Sequence, residues 1–253
     1  MDDIAMPATP AWPPRSAPRL FVDQPLEKDM QITLDGPAAH YLLKVMRLGE
    51  GAVLTLFDDR TGDYPATIIG ADKRRCTVSI GDRLRAREEV PDVWLCAAPI
   101  KRQRFDWVAE KACELGVRRF VPVGTARAVV DKVKEDRMRA HMIEAAEQCE
   151  RNALPQLADF TSLGALLAEW PGKRHLFFCD ERGGSSFRGA LRAHDGPAAI
   201  LIGPEGGFTD EENAMIRDLP QAVPVSLGPR ILRADTAAVA AISLWMAGRG
   251  DWS

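Results

Sequence analysis

Two stretches near the carboxyl end carry the residues best suited to chemistry: Leu201-Ile202-Gly203-Pro204-Glu205-Gly206-Gly207-Phe208 and Leu227-Gly228-Pro229-Arg230-Ile231-Leu232-Arg233-Ala234-Asp235-Thr236. Each leaves a short apolar run and enters a helical pattern, the place where ligands of open α/β sheets collect. Glycines let backbone amides and carbonyls approach a ligand closely, and the helix start that follows presents partial positive charge. Two tight turns account equally for either loop taken alone. Other chemistries lack their residues. Gly49-Glu50-Gly51 begins like GxGxxG, but the last position is Leu54 and the segment is not a strand-to-helix turn. There is no Walker lysine, HExxH, GxSxG elbow or EF-hand loop. His40, His141, His175 and His194 are scattered and read as structural or solvent-facing. Cys76, Cys96, Cys113, Cys149 and Cys179 are odd in number, far apart and without a CxxC pair, which argues against a disulfide framework and a zinc site.

The loops need elements to hold them. Val93 to Ala97, Phe120 to Val123, Leu176 to Cys179, Ala199 to Ile202 and Val223 to Leu227 are compact apolar runs typical of a sheet covered on both faces. Between them, Phe105, Val108, Ala109, Ala112 and Leu115 share one helical stripe that Gly116 can end, and Met138, Met142, Ala145 and Cys149 mark another. Thr209 with Glu212 fits a capping box, and a last apolar helix follows Asp235 or Thr236. Strands alternating with helices predict an α/β domain with a mainly parallel sheet. Upstream the pattern differs. Arg19 to Val22, Gln31 to Leu34, Val53 to Phe57, Ala66 to Ile69 and Cys76 to Ile80 are short alternating runs separated by turn-formers, interrupted by one helical stretch carrying Ala39, Leu42, Leu43 and Met46. This predicts a small N-terminal β-barrel over residues 19–84 and the α/β domain over 85–253. Residues 1–18, with five prolines, read as an extension without regular structure.

A formal charge of −3, 46% apolar and 27% charged residues describe a globular chain rather than a disordered, collagenous or coiled-coil one. The longest nearly apolar run, Ala237 to Gly248, is far short of the roughly 20 residues a bilayer span needs. Asp2 and Asp3 open a terminus with no basic stretch or apolar run, so no secretory signal is expected and a cytoplasmic location is. Only residues 85–153 are basic on balance, with 14 Lys and Arg against 12 Asp and Glu, an excess so small that a solvated helical surface explains it more readily than a nucleic-acid-binding face.

Taken together, the two loops resemble the S-adenosylmethionine site of the SPOUT methyltransferases. Within that class they resemble the bacterial family that methylates N3 of a uridine in 16S ribosomal RNA. Supporting stretches are His40-Tyr41-Leu42-Leu43-Lys44-Val45-Met46-Arg47, Lys111-Ala112-Cys113-Glu114-Leu115-Gly116-Val117 and Glu147-Gln148-Cys149-Glu150-Arg151-Asn152. Arg230-Ile231-Leu232-Arg233 stands where the ribose-methylating members of that class carry a Ser-Leu-Asn-rich loop, which favours a base as the target. The chain departs from the family pattern at Asp235, where glutamate is usual, and at Ala126, where an acidic residue is usual before the position of Arg127.

The resemblance implies a deep trefoil knot in the α/β domain, a PUA-like barrel, S-adenosylmethionine as methyl donor, the small ribosomal subunit or its 16S RNA as partner, and a homodimer. Donor binding then falls to Ile202, Gly203, Glu205, Gly206, Leu227, Gly228, Ile231 and Leu232, with no metal. Arg233 is expected to stabilise the anion left when uridine N3 loses its proton, because guanidinium stays charged and offers several donors. Asp235 or Glu205 orients that arginine or accepts the proton; both remain open. RNA contacts are expected from Lys44 and Arg47 in the barrel and from Lys101, Arg102 and Arg104 at the start of the α/β domain. Val239, Ile242 and Met246 offer an apolar face for a dimer or for the chain's own core. The competing class of function is a non-catalytic RNA-binding assembly factor that keeps a methyltransferase-like fold.

Overall fold

The computed structural model describes residues 17–252 other than 129, 131, 181 and 182, so the proline-rich extension lies outside the described residues up to position 16. The described chain forms two compact units: residues to Glu89 together with Glu150–Ala153, and Val90–Cys149 together with the chain from Leu154 onward.

The first unit contains β1 (Arg19–Phe21), β2 (Gln31–Leu34), α1 (Gly36–His40), a π-helical turn (Tyr41–Val45), β3 (Val53–Asp58), β4 (Gly62–Ala71), β5 (Cys76–Ile80) and β6 (Arg85–Ala86). Its six strands run in the order β1-β3-β4-β5-β2, with β6 on β4. The period of two is visible in the register. Ile32 and Leu34 lie opposite Val78 and Cys76 and are buried with them, whereas Gln31 and Thr33 are exposed. Leu20, Leu42, Leu54, Leu56, Ile68 and Ile80 belong to the same core. β4 begins earlier than its apolar run predicts, because pairing with β3 continues from Val53 opposite Thr67 to Asp58 opposite Gly62.

Residues beyond Leu84 belong to this unit as well. β6 pairs with β4, and Asn152 and Glu88 bond reciprocally. The Glu88 N–H donates to Asn152 Oδ1 at 2.8 Å, and the Asn152 N–H donates to the Glu88 carboxylate at 2.7 Å. Asn152 is fully buried and also donates to the Ala86 carbonyl at 3.1 Å. A cut after Leu84 therefore passes through this unit rather than beside it.

The second unit holds β7 (Val93–Ala97), α2 (Arg102–Glu114), β8 (Arg119–Gly124), α3 (Glu135–Cys149), β9 (Gln156–Leu157), β10 (Thr161–Ser162), α4 (Leu163–Ala168), β11 (His175–Cys179), β12 (Ser185–Ser186), α5 (Phe187–Ala193), β13 (Ala198–Ile202), α6 (Asp210–Arg217), β14 (Ala222–Ser226) and α7 (Ala234–Arg249). Its strands run in the order β10-β8-β7-β13-β11-β14-β12, with β9 on β8, and every pairing is parallel. β13 lies in the middle and all five of its residues are buried, as a continuous apolar run in a covered parallel sheet requires.

α2 ends as its sequence predicts. Val117 N–H bonds Ala112 O at 2.9 Å and Gly116 N–H bonds Cys113 O at 3.2 Å, the paired bonds that close a helix around a left-handed glycine. The short strands β6, β9, β10 and β12 have no counterpart in the sequence reading, nor do α4 and α5. Two residues make a strand only through their partner, and helices of six and seven residues are too short to show a stripe; Ser162 and Ser186 cap them. α7 starts at Ala234, earlier than expected, with Arg233 as its N-cap residue. Its stripe faces inward. Ile242 and Met246 are fully buried within the chain, so they do not form a dimer face. Among the described residues, no helix is long and apolar enough to cross a membrane.

Candidate active site

β11 lies between β13 and β14, so the carboxyl ends of three adjacent parallel strands deliver Cys179, Ile202 and Ser226 to one edge of the sheet. The two glycine loops leave two of these ends, and a cavity opens between them. Ile202, Gly203, Glu205, Leu227, Gly228, Ile231 and Leu232 line it together. Gly206 does not. Its carbonyl instead accepts a 2.7 Å bond from Arg127 Nη1, which also reaches the Phe208 carbonyl at 3.3 Å. Arg127 thus holds the outer side of the first loop.

Local chemistry shapes both loops. A Cβ at position 203 would sit 3.1 Å from the Phe208 ring, so glycine lets that ring close over the strand end. Gly228 has φ +115, a conformation that L side chains rarely adopt, and it turns the chain back across the cavity. The first loop ends in the expected capping box: Glu212 N–H donates to Thr209 Oγ1 at 3.1 Å, and Thr209 N–H donates to Glu212 Oε2 at 2.9 Å. Glu212 also accepts the Ala126 N–H at 2.7 Å. Thr209→Ala should lower stability by about 1 kcal/mol, read as a shift in the urea midpoint at unchanged slope; an unchanged midpoint would show that Glu212 alone secures the helix start.

Arg104, on the first turn of α2, lies 3.6 Å from Glu205 and 3.7 Å from Asp235. One cation therefore spans the two carboxylates supplied by the two loops. Asp235 Oδ1 accepts the Thr236 N–H at 2.8 Å while Oδ2 faces Arg104, so both oxygens are engaged and the side chain is 17% exposed. Arg233 is different. It is exposed, and its guanidinium has no hydrogen-bond or ion-pair partner among the described residues, so Asp235 does not orient it. Leu232 and Ala234, its chain neighbours, both line the cavity.

The cavity floor holds residues that the sequence reading did not single out. Cys179, Asp180, Phe208, Asn213 and Val225 line it. Burial pushes the Cys179 thiol up to about 12, so it stays protonated near neutral pH and is a poor nucleophile. Asp180 and Asn213 are buried, and Arg217 of α6 bonds both, pairing with Asp180 Oδ2 and donating from Nε to Asn213 Oδ1 at 2.8 Å. A polar side chain in the first turns of an amphipathic helix carries no local signal of facing a ligand. Only the packing of α6 against β14, the strand next to β11, brings these groups together.

Of the other expected contacts, Lys101 and Arg102 stand exposed at the amino end of α2, whose first turn holds no acidic residue. The helix dipole disfavours cations there, which leaves them suited to an external anion. Arg104 is the exception because its charge is met by two carboxylates. In the first unit, Lys44 lies in the π-helical turn and Arg47 follows it with φ 54; both are exposed, beside exposed Tyr41, Val45 and Met46. Among the described residues, no group of three or more His, Cys, Asp and Glu is placed to hold a metal ion.

A cavity framed by glycine backbone at parallel strand ends, and lined by apolar side chains together with polar groups, fits a nucleoside-bearing ligand. Comparison with known proteins agrees. The family described as RNA methyltransferase domain matches residues 87–246, and that described as RNA methyltransferase PUA domain matches residues 34–81. A ribosomal RNA small subunit methyltransferase E from Synechocystis is 33% identical over 84% of this chain and 71% of its own length. The enzyme of the same name from Neisseria gonorrhoeae, solved with S-adenosyl methionine, superposes with a TM-score of 0.86 at 26% identity, covering 94% of this chain and 100% of that one. A Legionella pneumophila protein described as a methyltransferase, solved with the cofactor SAM, gives a TM-score of 0.84 at 30% identity over 93% of this chain and 99% of that one. The chain belongs to the ribosomal RNA small subunit methyltransferase E family of RNA methyltransferases.

Proposed function

We propose that this chain is an S-adenosylmethionine-dependent methyltransferase that modifies N3 of a uridine in the 16S RNA of the small ribosomal subunit. The observation that carries this reading is the cavity between the two glycine loops, with an unpaired arginine between two of its lining residues. The donor, when bound, supplies an electrophilic methyl group on sulfur. The chain must then hold that carbon in line with the base nitrogen, a positioning effect that contributes up to roughly 7–11 kcal/mol. It must also favour loss of the N3 proton, which a guanidinium beside the base oxygens does by stabilising the anion. Arg233 is the residue we assign to that task. Asp235 has both oxygens engaged, whereas Glu205 is 36% exposed and among the described residues meets Arg104 alone at its edge. Glu205 is therefore the more open carboxylate for the departing proton. A neutral Cys179 keeps the cavity floor from competing for the methyl group.

The direct test joins two measurements. Calorimetry should show S-adenosylmethionine binding, and mass spectrometry of 16S RNA from cells lacking the protein should show one uridine without its N3 methyl group. An unmethylated ribose, or no change in the RNA, would reject the assigned reaction.

RNA contacts are proposed for Lys44, Arg47, Lys101 and Arg102. Replacing Lys101 or Arg102 by alanine should weaken RNA binding whatever the sequence, and each should lower the slope of log affinity against log salt by about 0.7–0.9. Arg104→Ala should change that slope less, because its charge already faces Glu205 and Asp235. Equal slopes for all three variants would show that Arg104 also meets a phosphate. We further propose a trefoil knot in the second unit, a cytoplasmic location with the RNA, and a homodimer. Trp107 of α2 and Leu244 of α7, on helices that pack together, are 40% and 42% exposed and are the apolar side chains suited to a dimer contact. Light scattering should give twice the 27.8 kDa chain mass; the single-chain mass at micromolar protein would reject it.

A further inference from the structure

The cavity floor contains one polar group whose orientation is set but whose bond is not made. Asn213 is 4% exposed and lines the cavity, and its Oδ1 accepts from Arg217 Nε at 2.8 Å. A guanidinium N–H needs an acceptor, so this bond decides which end of the amide faces the arginine and turns Nδ2 away from it. Nδ2 has no hydrogen-bond partner among the described residues. The residue is otherwise enclosed and lines the cavity, so this free donor is available to a ligand there.

Burial also distinguishes the two ends of this cavity. Gly228, Pro229, Arg230 and Ile231 form an exposed rim, with Ile231 91% exposed, whereas Phe208, Asn213 and Asp180 are buried. A base in RNA can approach only from the open side, so the reacting sulfonium must lie toward the rim. The nucleoside of the donor then occupies the buried end, and its ring nitrogens and ribose oxygens are hydrogen-bond acceptors.

We infer that Asn213 is a further binding residue for the methyl donor, its amide Nδ2 donating to an acceptor on the adenosine, and that Arg217 is the positioning residue that fixes the direction of that amide. This rests on the cavity being the donor site. The pairing of Arg217 with buried Asp180 anchors the guanidinium, so its hold on Asn213 is not that of a loose surface side chain. The recognised chemistry is the adenosine itself, not the transferable methyl group, so donor and demethylated product should be affected alike.

The test measures S-adenosylmethionine and S-adenosylhomocysteine affinities by calorimetry, beside the thermal midpoint of the ligand-free protein. Asn213→Asp keeps an oxygen for Arg217 but replaces the donor by an acceptor, and Asn213→Leu fills the space without a polar group. Both should weaken both ligands by about tenfold or more, with the ligand-free midpoint of Asn213→Asp held. Arg217→Lys keeps a charge beside Asp180 but cannot hold two oxygens in a planar fork. It should raise the donor KM severalfold while kcat at saturating donor stays unchanged. Wild-type affinity in both folded Asn213 variants would overturn the inference and leave the donor reading intact. Absence of binding by the wild-type protein would overturn both.

Discussion

Arg233→Ala should cut the rate of methyl transfer in a single turnover by on the order of 10²–10³, the loss found when one donor to a developing anion is removed. Donor affinity should change by less than about twofold, because Arg233 is not among the residues lining the cavity and its side chain bonds nothing among the described residues, its backbone carbonyl alone joining the helix start. The separation matters. A guanidinium that merely secured the second loop would have a partner within it, and its removal would reduce affinity and rate together. The carboxylate nearest in sequence, Asp235, is taken up by Thr236 N–H and Arg104. Arg233 therefore carries a charge that no carboxylate among the described residues meets, between two residues that line the cavity. Arg233→Lys should recover only part of the rate, since a point ammonium cannot span two base oxygens as a fork does. The measurement is single-turnover methylation at saturating RNA beside a donor titration on the same protein. An unchanged rate would remove Arg233 from the reaction.

Asp63→Ala should destabilise the first unit by about 3–5 kcal/mol, because it strands two guanidiniums around one buried carboxylate. Asp63 side-chain exposure is 9%, and it accepts from Arg19 Nη2 and from Arg85 Nε, each at 2.8 Å. Arg19 is itself enclosed, with its guanidinium 3.6 Å from the centre of the Phe57 ring and a 3.0 Å bond to the Arg151 carbonyl. Arg85 reaches the Glu150 carbonyl. One carboxylate thus joins β1, β4, β6 and the returning segment Glu150–Ala153. Asp63→Asn, which keeps an acceptor and loses the charge, should cost less. Hydrogen exchange in β3 to β5 should rise steeply in the alanine variant, while donor binding by the second unit persists and RNA methylation falls. If exchange is unchanged, the two arginines find water or other acceptors at little cost.

Much of this molecule is legible from local pattern. The five apolar runs of the second unit are its central strands, and the most central of them, β13, is buried at every residue because a strand covered on both faces must be apolar throughout. Ile32 and Leu34 alternate with polar neighbours because only one face of their sheet is covered. Thr209 with Glu212, and Gly116 after an apolar stripe, mark helix ends through bonds that span a few residues and so can be read from those residues alone. The glycine loops announce a ligand site for the same reason: conformation and close approach are local demands. Groups brought together by the sheet order are not local. Asp180, Asn213 and Arg217 meet because β11 runs between β13 and β14 and α6 packs beside them, and nothing within α6 marks Asn213. Arg104 looked like one of a run of RNA contacts. The fold instead sets it against Glu205 and Asp235, which stand 101 and 131 positions further along the chain. Ile242 and Met246 suited a dimer or a core equally, since an apolar stripe records that it is covered but not by what. Residue types and short spacings settled the central elements and marked the two loops that line the cavity; which charges are neutralised, and which polar side chains join that lining, depended on distant segments meeting in space.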